Sequence, residues 1–416
     1  MPLRYSKQIY DNVHGYINIT EPEMQLIDTP VFQRLREIKQ LGPTYLVFPG
    51  ATHTRFSHSI GTMFMMDLFA RNTLRDVQID DDTMQKLRIA ALLHDVGHYP
   101  FSHTLEEVIT HSMNGKSHVE FGTLLIKKLL SEKLGTFTYD EINGLIEGDR
   151  SDPLSMLLSS AIDADKSDYM LRDSYNTGVP YGQVNISSLL RIMHFEKNRI
   201  IFDKDESPVE NFLINRYHLY RAVIHHKVVV AVSLMLQRIF EMLVLEGYIE
   251  NPLDVYNSED QDKIAGYNDD IVLNAMHKYI ASGSRESLRE LIKDFFRRES
   301  LELAYSYVSA SMPDGADASR GNEITSLLEA PRSMANLSMD SGIDKDWIFP
   351  VVLRTLGLID EEASIFVRKE GRTIPIIESD ALILRMIGTR MLYDARIYTK
   401  KGLGGRLRKA LRATQR

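Results

Sequence analysis

The sequence predicts a mainly α-helical protein with a smaller α+β part towards its C-terminal end. Apolar residues recur at helical spacing through most of the chain, whereas runs that alternate like strands are few and short. One such run, "SIFVRKEGRTIPII", alternates on both sides of Glu370-Gly371 in the manner of a β-hairpin. The 416 residues are enough for one large domain or for two to three of ordinary size.

Five stretches carry the helical prediction, and they span residues 58–74, 80–95, 119–134, 152–178 and 211–247. Acidic residues open the second stretch, where they suit the positive end of a helix dipole, and Gly97 is expected to end that helix. The pair Asp152-Pro153 is a favourable start for the fourth stretch. Short strands are expected at residues 45–50 and 198–203.

Changes in composition predict three regions along the chain. Residues 1–250 are expected to form the helical core, and residues 251–345 a helical extension with a polar loop that we expect to be mobile. Residues 346–416 are expected to form a small α+β region with a basic tail. No internal repeat is evident in the sequence.

The composition excludes several classes of function. The chain has no cysteine, so disulfides, thiolate metal sites and cysteine nucleophiles are ruled out. A formal net charge of −8 argues against a protein whose whole surface binds nucleic acid. The N-terminus lacks the apolar segment of a signal peptide, and no apolar run is expected to span a membrane. We therefore expect a cytoplasmic protein with no membrane contact.

The charge is nevertheless uneven. Residues 397–416 carry seven Lys or Arg residues and no Asp or Glu. A solvated tail is one interpretation, and contact with nucleic acid or with a neighbouring subunit is the other.

Seven of the thirteen histidines lie between His53 and His118, which predicts a single site. In the run "ALLHDVGHYPFSH", His94 and Asp95 offer a nitrogen and an anionic oxygen at the predicted end of a helix, where neighbouring side chains can converge. Such donors suit Mn²⁺, Fe²⁺, Zn²⁺, Ni²⁺ or Mg²⁺. His58 and Asp165 are candidates for the remaining ligands. Spacing alone does not select them, because a lone histidine is usually a satisfied polar residue, and Asp163 and Asp168 are equally plausible as surface charges.

A resemblance sharpens this interpretation. The stretches "IDTPVFQRLREIKQLGPTYLVFPGATHTRFSHSIG", "LLHDVGHYPFSHTLE" and "DADKSDYMLRD" resemble the deoxynucleoside triphosphate triphosphohydrolase branch of the HD-domain phosphohydrolases. The similarity is dense from about residue 9 to 230 and thinner to about 310. It implies a helical HD-domain core that holds one divalent metal ion through four ligands, namely His58, His94, Asp95 and Asp165.

The resemblance also implies a reaction, the hydrolysis of a deoxynucleoside triphosphate to deoxynucleoside and triphosphate. His103 aligns with the catalytic histidine of the branch, which would protonate the departing 5′-oxygen. His98 and His118 align with supporting histidines. Glu106 stands where the branch commonly has an aspartate, and its carboxylate is expected to hold His103 protonated and oriented.

Further residues match the substrate contacts of the branch. Arg55, Lys166 and Arg216 match groups near the phosphates, and Tyr220 lies on a helix that faces the nucleoside. Tyr169 and Asp173 follow Asp165 at i+4 and i+8, so the three share a helix face. By resemblance, Tyr169 packs near the sugar and Asp173 accepts a hydrogen bond from the 3′-hydroxyl. Gln40 and Leu41 match residues that contact this hydroxyl and exclude a 2′-hydroxyl.

Regulation is implied by a third match. Asp28, Gln33 and Arg36 correspond to a guanine-nucleotide site, which implies a GTP or dGTP activator and a symmetric homo-oligomer, a dimer or a tetramer. The alternative is that this segment only packs and caps.

Two alternatives for the function stay open, the first because Tyr220, Ile224 and His225 depart from the pattern of the branch, and the second because of the basic tail. One is an HD phosphohydrolase acting on nucleoside monophosphates or other nucleotides. The other is a nucleotide-sensing or nucleic-acid-binding protein with weak hydrolysis.

Overall fold

The computed structural model describes residues 3–77, 79–149, 151–311, 331–355, 365–381 and 391–414. Within these ranges the protein is mainly helical, as predicted, and its strands form three small sheets. The predicted polar loop at residues 309–323 lies almost wholly outside the described residues.

The chain opens with an antiparallel hairpin of β1 (Tyr5–Asp11) and β2 (Gly15–Thr20). Helix α1 (Glu21–Ile27) follows directly, because Thr20 accepts a hydrogen bond from the amide of Glu23 while the Glu23 carboxylate accepts one from the amide of Thr20. Two short helical turns continue the chain, α2 (Pro30–Gln33) and the 3₁₀ helix Arg34–Glu37.

The helices around the centre of the molecule are α3 (Arg55–Thr73), α4 (Asp81–Leu93), α5 (His103–Ser112), α6 (His118–Leu125), α7 (Tyr139–Glu147) and α8 (Ala164–Thr177). Helix α3 packs against both α4 and α8 and buries residues on most of its circumference. Acidic residues open α4, as expected, and Asp80 caps it by accepting a hydrogen bond from the amide of Thr83. This packing brings the first turns of α3 and α8 to the C-terminal end of α4.

The next helices are α9 (Ile186–Ile192), α10 (Ser207–Leu219), α11 (Lys227–Leu245), α12 (Pro252–Tyr256), α13 (Gln261–Ala265), α14 (Asp269–Ser282) and α15 (Glu286–Arg297). Contrary to the sequence expectation, α11 is long and apolar enough to cross a membrane by length and composition. Half of its most apolar 18-residue stretch is buried inside the protein, where α11 packs against α5, α14 and α15. The core helix of a soluble protein can have the same length and composition.

The remaining strands form two sheets. One has the order β3 (Met193–Glu196), β4 (Arg199–Asp203), β7 (Phe366–Lys369), β8 (Arg372–Pro375), and its β7–β8 pair is the predicted hairpin around Glu370-Gly371. The other places β9 (Met391–Thr399) between β5 (Glu302–Ser311) and β6 (Ile348–Thr355). Helices Pro331–Ser341 and Gly404–Thr414 pack together beside this second sheet.

Several sequence expectations about local structure are wrong. Residues 45–50 do not form a strand, since a 3₁₀ helix (Gly42–Leu46) and turns occupy this segment. The predicted helix at 152–178 is a 3₁₀ turn followed by α8. The predicted helix at 211–247 is divided between α10 and α11 by the π-helical turn Tyr220–Ile224.

The predicted role of Gly97 is also wrong. Helix α4 ends at Leu93, before this glycine. A Cβ on Gly97 would lie 2.1 Å from the carbonyl oxygen of His118 and 2.1 Å from the amide nitrogen of Gly122. Glycine is therefore needed because α6 approaches the backbone at this point, and not because it ends a helix.

A buried ion pair fixes the first hairpin and α1 to α4. The Arg88 guanidinium donates from Nε to Glu23 Oε1 at 2.7 Å and from a terminal nitrogen to Glu23 Oε2 at 2.9 Å. Both side chains are almost completely buried. Removing one partner would therefore leave the other charge without compensation.

We expect Arg88→Met to lower the free energy of unfolding by about 3–5 kcal/mol, because the Glu23 carboxylate would stay buried and unpaired. Arg71→Met is a suitable control, since the half-exposed Arg71 pairs with Asp67 on one helix and its loss should cost about 0–1 kcal/mol. Chemical denaturation of both variants measures the difference. Equal effects in the two variants would contradict the importance of the buried pair.

Candidate metal centre and active site

Four side chains predicted as metal ligands come together where three helices meet. His58 lies in the first turn of α3, His94 and Asp95 directly follow α4, and Asp165 lies in the first turn of α8. His58 Nε2 lies 3.0 Å from Asp165 Oδ1 and 3.5 Å from Asp95 Oδ2. His94 Nε2 lies 3.3 Å from Asp95 Oδ1 and 3.7 Å from Asp165 Oδ1.

The two imidazoles are oriented for a metal ion. His94 Nδ1 lies 2.8 Å from the carbonyl oxygen of Ala91, and His58 Nδ1 lies 2.7 Å from Asp168 Oδ2. An Nδ1–H that donates to these acceptors leaves the Nε2 lone pair of each ring directed at the carboxylates. His94 Nε2 is buried and makes no hydrogen bond to any described residue. This donor set fits a divalent cation with nitrogen and oxygen ligands.

The electrostatics of the site also favour a cation. Burial lowers the pKa of His58, but hydrogen bonds to Asp165 and Asp168 overcome this effect and raise it to about 10. Burial would raise the pKa of Asp95, but the charges of Arg55 and His94 hold it well below its usual range. The carboxylates thus favour a positive charge at His58 Nε2, which is a proton in the free protein and would be replaced by a bound metal ion.

A buried carboxylate supports the metal centre from behind. Asp168 accepts hydrogen bonds from His58, from His14 Nε2 at 2.6 Å and from Arg172 Nε at 2.8 Å. Arg172 also bridges to Asp11 at 2.8 Å, which connects the first hairpin to the site. Asp163 is buried as well and caps α8 by accepting a hydrogen bond from the Lys166 amide at 2.7 Å. The alternative that Asp163 and Asp168 are surface charges is therefore wrong.

Three histidines and a glutamate form a second cluster next to the metal centre. The Glu106 carboxylate lies 2.8 Å from His103 Nδ1 and 2.7 Å from His118 Nδ1. His98 is fully buried, stacks on the His118 ring at 4.0 Å and places its Nε2 3.2 Å from Asp95 Oδ1. The predicted catalytic group is thus assembled around Glu106.

The charges of this second cluster are strongly perturbed. Burial alone would raise the pKa of Glu106, but hydrogen bonds from His103 and His118 hold it well below its usual range. Burial and the charge of Arg55 keep the pKa of His98 well below its usual value, so this imidazole is neutral. The pKa of His103 is lowered because desolvation outweighs the hydrogen bond to Glu106, although 68% of the side chain remains exposed. Glu106 therefore orients His103 and opposes the lowering of its pKa without reversing it.

The segment before His103 has an unusual backbone. Phe101 and Ser102 both have φ of 54°, a conformation that non-glycine residues seldom adopt. Asp269, at the start of α14, accepts a hydrogen bond from the Phe101 amide at 2.6 Å and one from the Lys39 amide at 3.1 Å. Burial raises the pKa of Asp269 to about 6, and Lys39 opposes the shift. This carboxylate therefore holds the backbone on which the orientation of His103 depends.

Both clusters open into one cavity of about 350 Å³. Its lining includes most of the predicted substrate contacts, namely Gln40, Leu41, Arg55, Lys166, Tyr169, Asp173 and Tyr220, together with Ile224. The predicted i+4 and i+8 positions of α8 therefore do face one space. Arg216 is not among the described residues that line it, and one of its terminal nitrogens lies 3.4 Å from the carbonyl oxygen of Ala161.

The residues of the predicted regulatory site lie in the segment from α1 to the first 3₁₀ turn. Asp28 and Arg36 are exposed, and Arg36 Nε donates to Gln33 Oε1 at 2.7 Å while its guanidinium lies over the ring of Phe56. Between them in sequence, the buried Arg34 donates to the carbonyl oxygen of Val96 at 2.8 Å, one residue after Asp95.

Sequence reasoning missed the residues that support these groups, namely His14, His53, Arg34, Arg172 and Asp269. Their signals were weak, because each depends on a partner that is distant in sequence. Histidine clustering between His53 and His118 pointed to His53, and the i,i+4 spacing of Asp168 and Arg172 pointed to Arg172.

Fold and site together define a helical protein with a histidine–aspartate cluster that could hold a metal ion. Residues 55–173 match the family described as HD domain. These residues contain all four predicted metal ligands and the His103 cluster. This part of the chain is therefore similar to the HD-domain family.

Particular relatives refine this assignment. An uncharacterized protein of Methanocaldococcus jannaschii is 39% identical over 62% of this chain and 54% of its own length. The deoxynucleoside triphosphate triphosphohydrolase SAMHD1 homolog of Dictyostelium discoideum is 31% identical over 61% of this chain and 54% of its own length. The chain thus spans about half the length of these two curated relatives. A crystal structure of a hypothetical protein from Aquifex aeolicus has a TM-score of 0.75 and 26% identity, covering 97% of this chain and 99% of that one.

We expect Asp165→Ala to lose the bound metal, because one of four ligands disappears, whereas His103→Ala should retain it. Elemental analysis of the purified proteins measures the metal content, and Asp270→Ala provides a control at an exposed acidic residue. Full occupancy in Asp165→Ala would contradict the ligand assignment. A stoichiometry of two would indicate that the second cluster, whose ligand atoms lie within 4.8 Å of one another, also binds an ion.

Proposed function

We propose that this protein is a metal-dependent phosphohydrolase that converts deoxynucleoside triphosphates to deoxynucleoside and triphosphate. One observation carries the proposal: three of the four predicted metal ligands, two histidines of the second cluster and the predicted sugar contacts line a single cavity. The ligands are His94, Asp95 and Asp165, and the histidines are His103 and His118. The cavity volume of about 350 Å³ is in the range of small-molecule sites. The similarity to the triphosphohydrolase homolog of Dictyostelium discoideum supports the same substrate class.

The cavity has a side suited to phosphate and a side suited to sugar. Arg55 and Lys166 line the first and would offset the charge of a triphosphate. Arg55 is held in place by Asp95 at 2.6 Å and by the hydroxyl of Ser102 at 2.9 Å. On the second side, Leu41 and Tyr169 provide contact surface for deoxyribose, and Leu41 would crowd a 2′-hydroxyl.

In the proposed reaction, a water oxygen forms a bond to the α-phosphorus and the bond from that phosphorus to the 5′-oxygen breaks. The chemistry that a bound divalent ion supplies is polarisation of a phosphate oxygen. His103 would donate a proton to the departing 5′-oxygen, since an alkoxide is a poor leaving group. The charge of a bound triphosphate would raise the pKa of this imidazole and favour the protonated form.

We expect the protein with Mn²⁺ to release tripolyphosphate and deoxynucleoside from at least one dNTP, and His103→Ala to lose this turnover while its metal content stays unchanged. Chromatography of the products distinguishes the alternatives. Release of orthophosphate from a nucleoside monophosphate would support a phosphohydrolase that acts on monophosphates. Absence of tripolyphosphate with every dNTP, with or without GTP or dGTP, would refute the proposal.

The pH dependence should depend on Glu106. Because the proton donor must be charged, kcat/KM should fall as the pH rises through the pKa of His103. The Glu106 carboxylate raises that pKa, so Glu106→Gln should move the alkaline limb of the profile to lower pH. Glu106→Asp is the matched control, since it keeps the charge. An alkaline limb that stays in place in Glu106→Gln would contradict this role.

We further propose that a guanine nucleotide, GTP or dGTP, activates a homo-oligomer of this chain through Asp28, Gln33 and Arg36. The contact from Arg34 to Val96 supports a physical connection between this segment and the metal centre. Activity should then rise on adding GTP in the wild type and not in Arg36→Ala. Light scattering with and without GTP would test whether a dimer or tetramer forms.

The contacts of the basic tail weaken the case for the alternative role in nucleic-acid binding, which the sequence alone suggested. Lys400 pairs with Glu290, Arg408 pairs with Glu302, and Arg406 donates to the carbonyl oxygen of Ser341 at 3.1 Å. Several positive charges of the tail are therefore engaged within the protein. Salt-sensitive DNA or RNA binding without any nucleotide turnover would nevertheless favour this alternative.

A further inference from the structure

We propose that His53 is a positioning residue that fixes the two acceptors, Gln40 and Asp173, which recognise a hydroxyl of the substrate sugar. The inference rests on the proposed function, and it adds a specificity determinant to the same cavity. His53 lies just before α3 and does not itself line the cavity.

Two contacts connect His53 to the cavity wall. Its Nε2 lies 2.8 Å from Asp173 Oδ1, and both side chains are about 95% buried. Its backbone carbonyl oxygen accepts a hydrogen bond from the backbone amide of Gln40 at 3.0 Å. His53 therefore joins the segment that contains Gln40, which lies between two 3₁₀ turns, to the third turn of α8.

The donor and acceptor roles follow from chemistry. An ionised carboxylate only accepts hydrogen bonds, so the Nε2 of His53 must carry the proton in this contact. The ring thus holds Oδ1 of Asp173, and the second carboxylate oxygen can turn towards a ligand. Asp173 lines the cavity and is only 3% exposed, so its orientation depends on this partner.

Gln40 provides the second acceptor. Its Oε1 is buried and has no hydrogen-bond partner among the described residues, although its side chain lines the cavity. A buried unpaired acceptor costs free energy unless a ligand supplies a donor. A ligand hydroxyl is such a donor, and it can reach both Gln40 and Asp173 only if their relative positions are fixed.

A purely structural role for His53 predicts a different outcome. If the imidazole only fills space next to α3, its loss should weaken every substrate equally. If it positions Asp173, its loss should affect only substrates that carry the recognised hydroxyl, while the backbone contact to Gln40 stays in place. Comparing a dNTP with its 2′,3′-dideoxy analogue separates these cases.

The test measures kcat/KM for the dNTP that the wild type cleaves best and for its dideoxy analogue. His53→Ala should lower the value for the dNTP about 10–100-fold and that for the analogue less than about threefold, since hydrogen bonds to charged groups have this magnitude. His53→Gln should recover most of the loss, because its amide can donate at a similar position. His277→Ala, at an exposed histidine remote from the cavity, is the control and should match the wild type.

An equal loss on both substrates, or no recovery in His53→Gln, would overturn the inference. If the wild type cleaves no dNTP, the proposed function fails, and calorimetric binding of a deoxynucleoside and its 2′,3′-dideoxy counterpart then decides about His53. The wild type should prefer the deoxynucleoside, and His53→Ala should lose this preference. Equal binding of both probes by the wild type, or an unchanged preference in the variant, would overturn it.

Discussion

The rest of the site depends on the hydrogen bonds that the buried carboxylate of Asp168 accepts. This carboxylate is completely buried and accepts hydrogen bonds from a predicted metal ligand, His58, from His14 of the first hairpin turn and from Arg172 of its own helix. Its charge needs all of these donors, because a buried unpaired carboxylate is very costly. Gly61 makes the arrangement possible, since a Cβ there would lie 2.0 Å from Asp168 Oδ1.

The site also depends on residues beyond the HD-domain match. Asp269 holds the amides of Lys39 and Phe101, and Arg34 joins the carbonyl oxygens of Val96 and Tyr267. These contacts fasten both ends of the loop that leads from the metal ligands to the His103 cluster. The helices that follow the matched residues therefore complete the backbone of the candidate site.

The limits of sequence reasoning are physical. Helix α4 was predicted well, because its amphipathic pattern and acidic start are local. The division of the long helix at 211–247 into α10 and α11 at Tyr220–Ile224 was not predicted, since a π turn changes the backbone hydrogen bonding without a change in composition. The short apolar run at 45–50 favours a strand by composition, but Gly42 adopts φ of 53° and the chain from Gly42 to Leu46 forms a 3₁₀ helix.

The helical class and the shared face of α8 could be predicted from the sequence, because they follow from periodicity. Residue chemistry and resemblance predicted the ligand types at His58, His94, Asp95 and Asp165. Only the tertiary structure decided which polar residues support the site. The partners of Asp173, Asp168 and Asp269 lie 120, 110 and 168 residues away, and hydrogen bonds across such separations leave no local pattern in the chain. Spacing alone was compatible with Asp163 and Asp168 as surface charges, but both are buried and support the residues of the predicted metal centre.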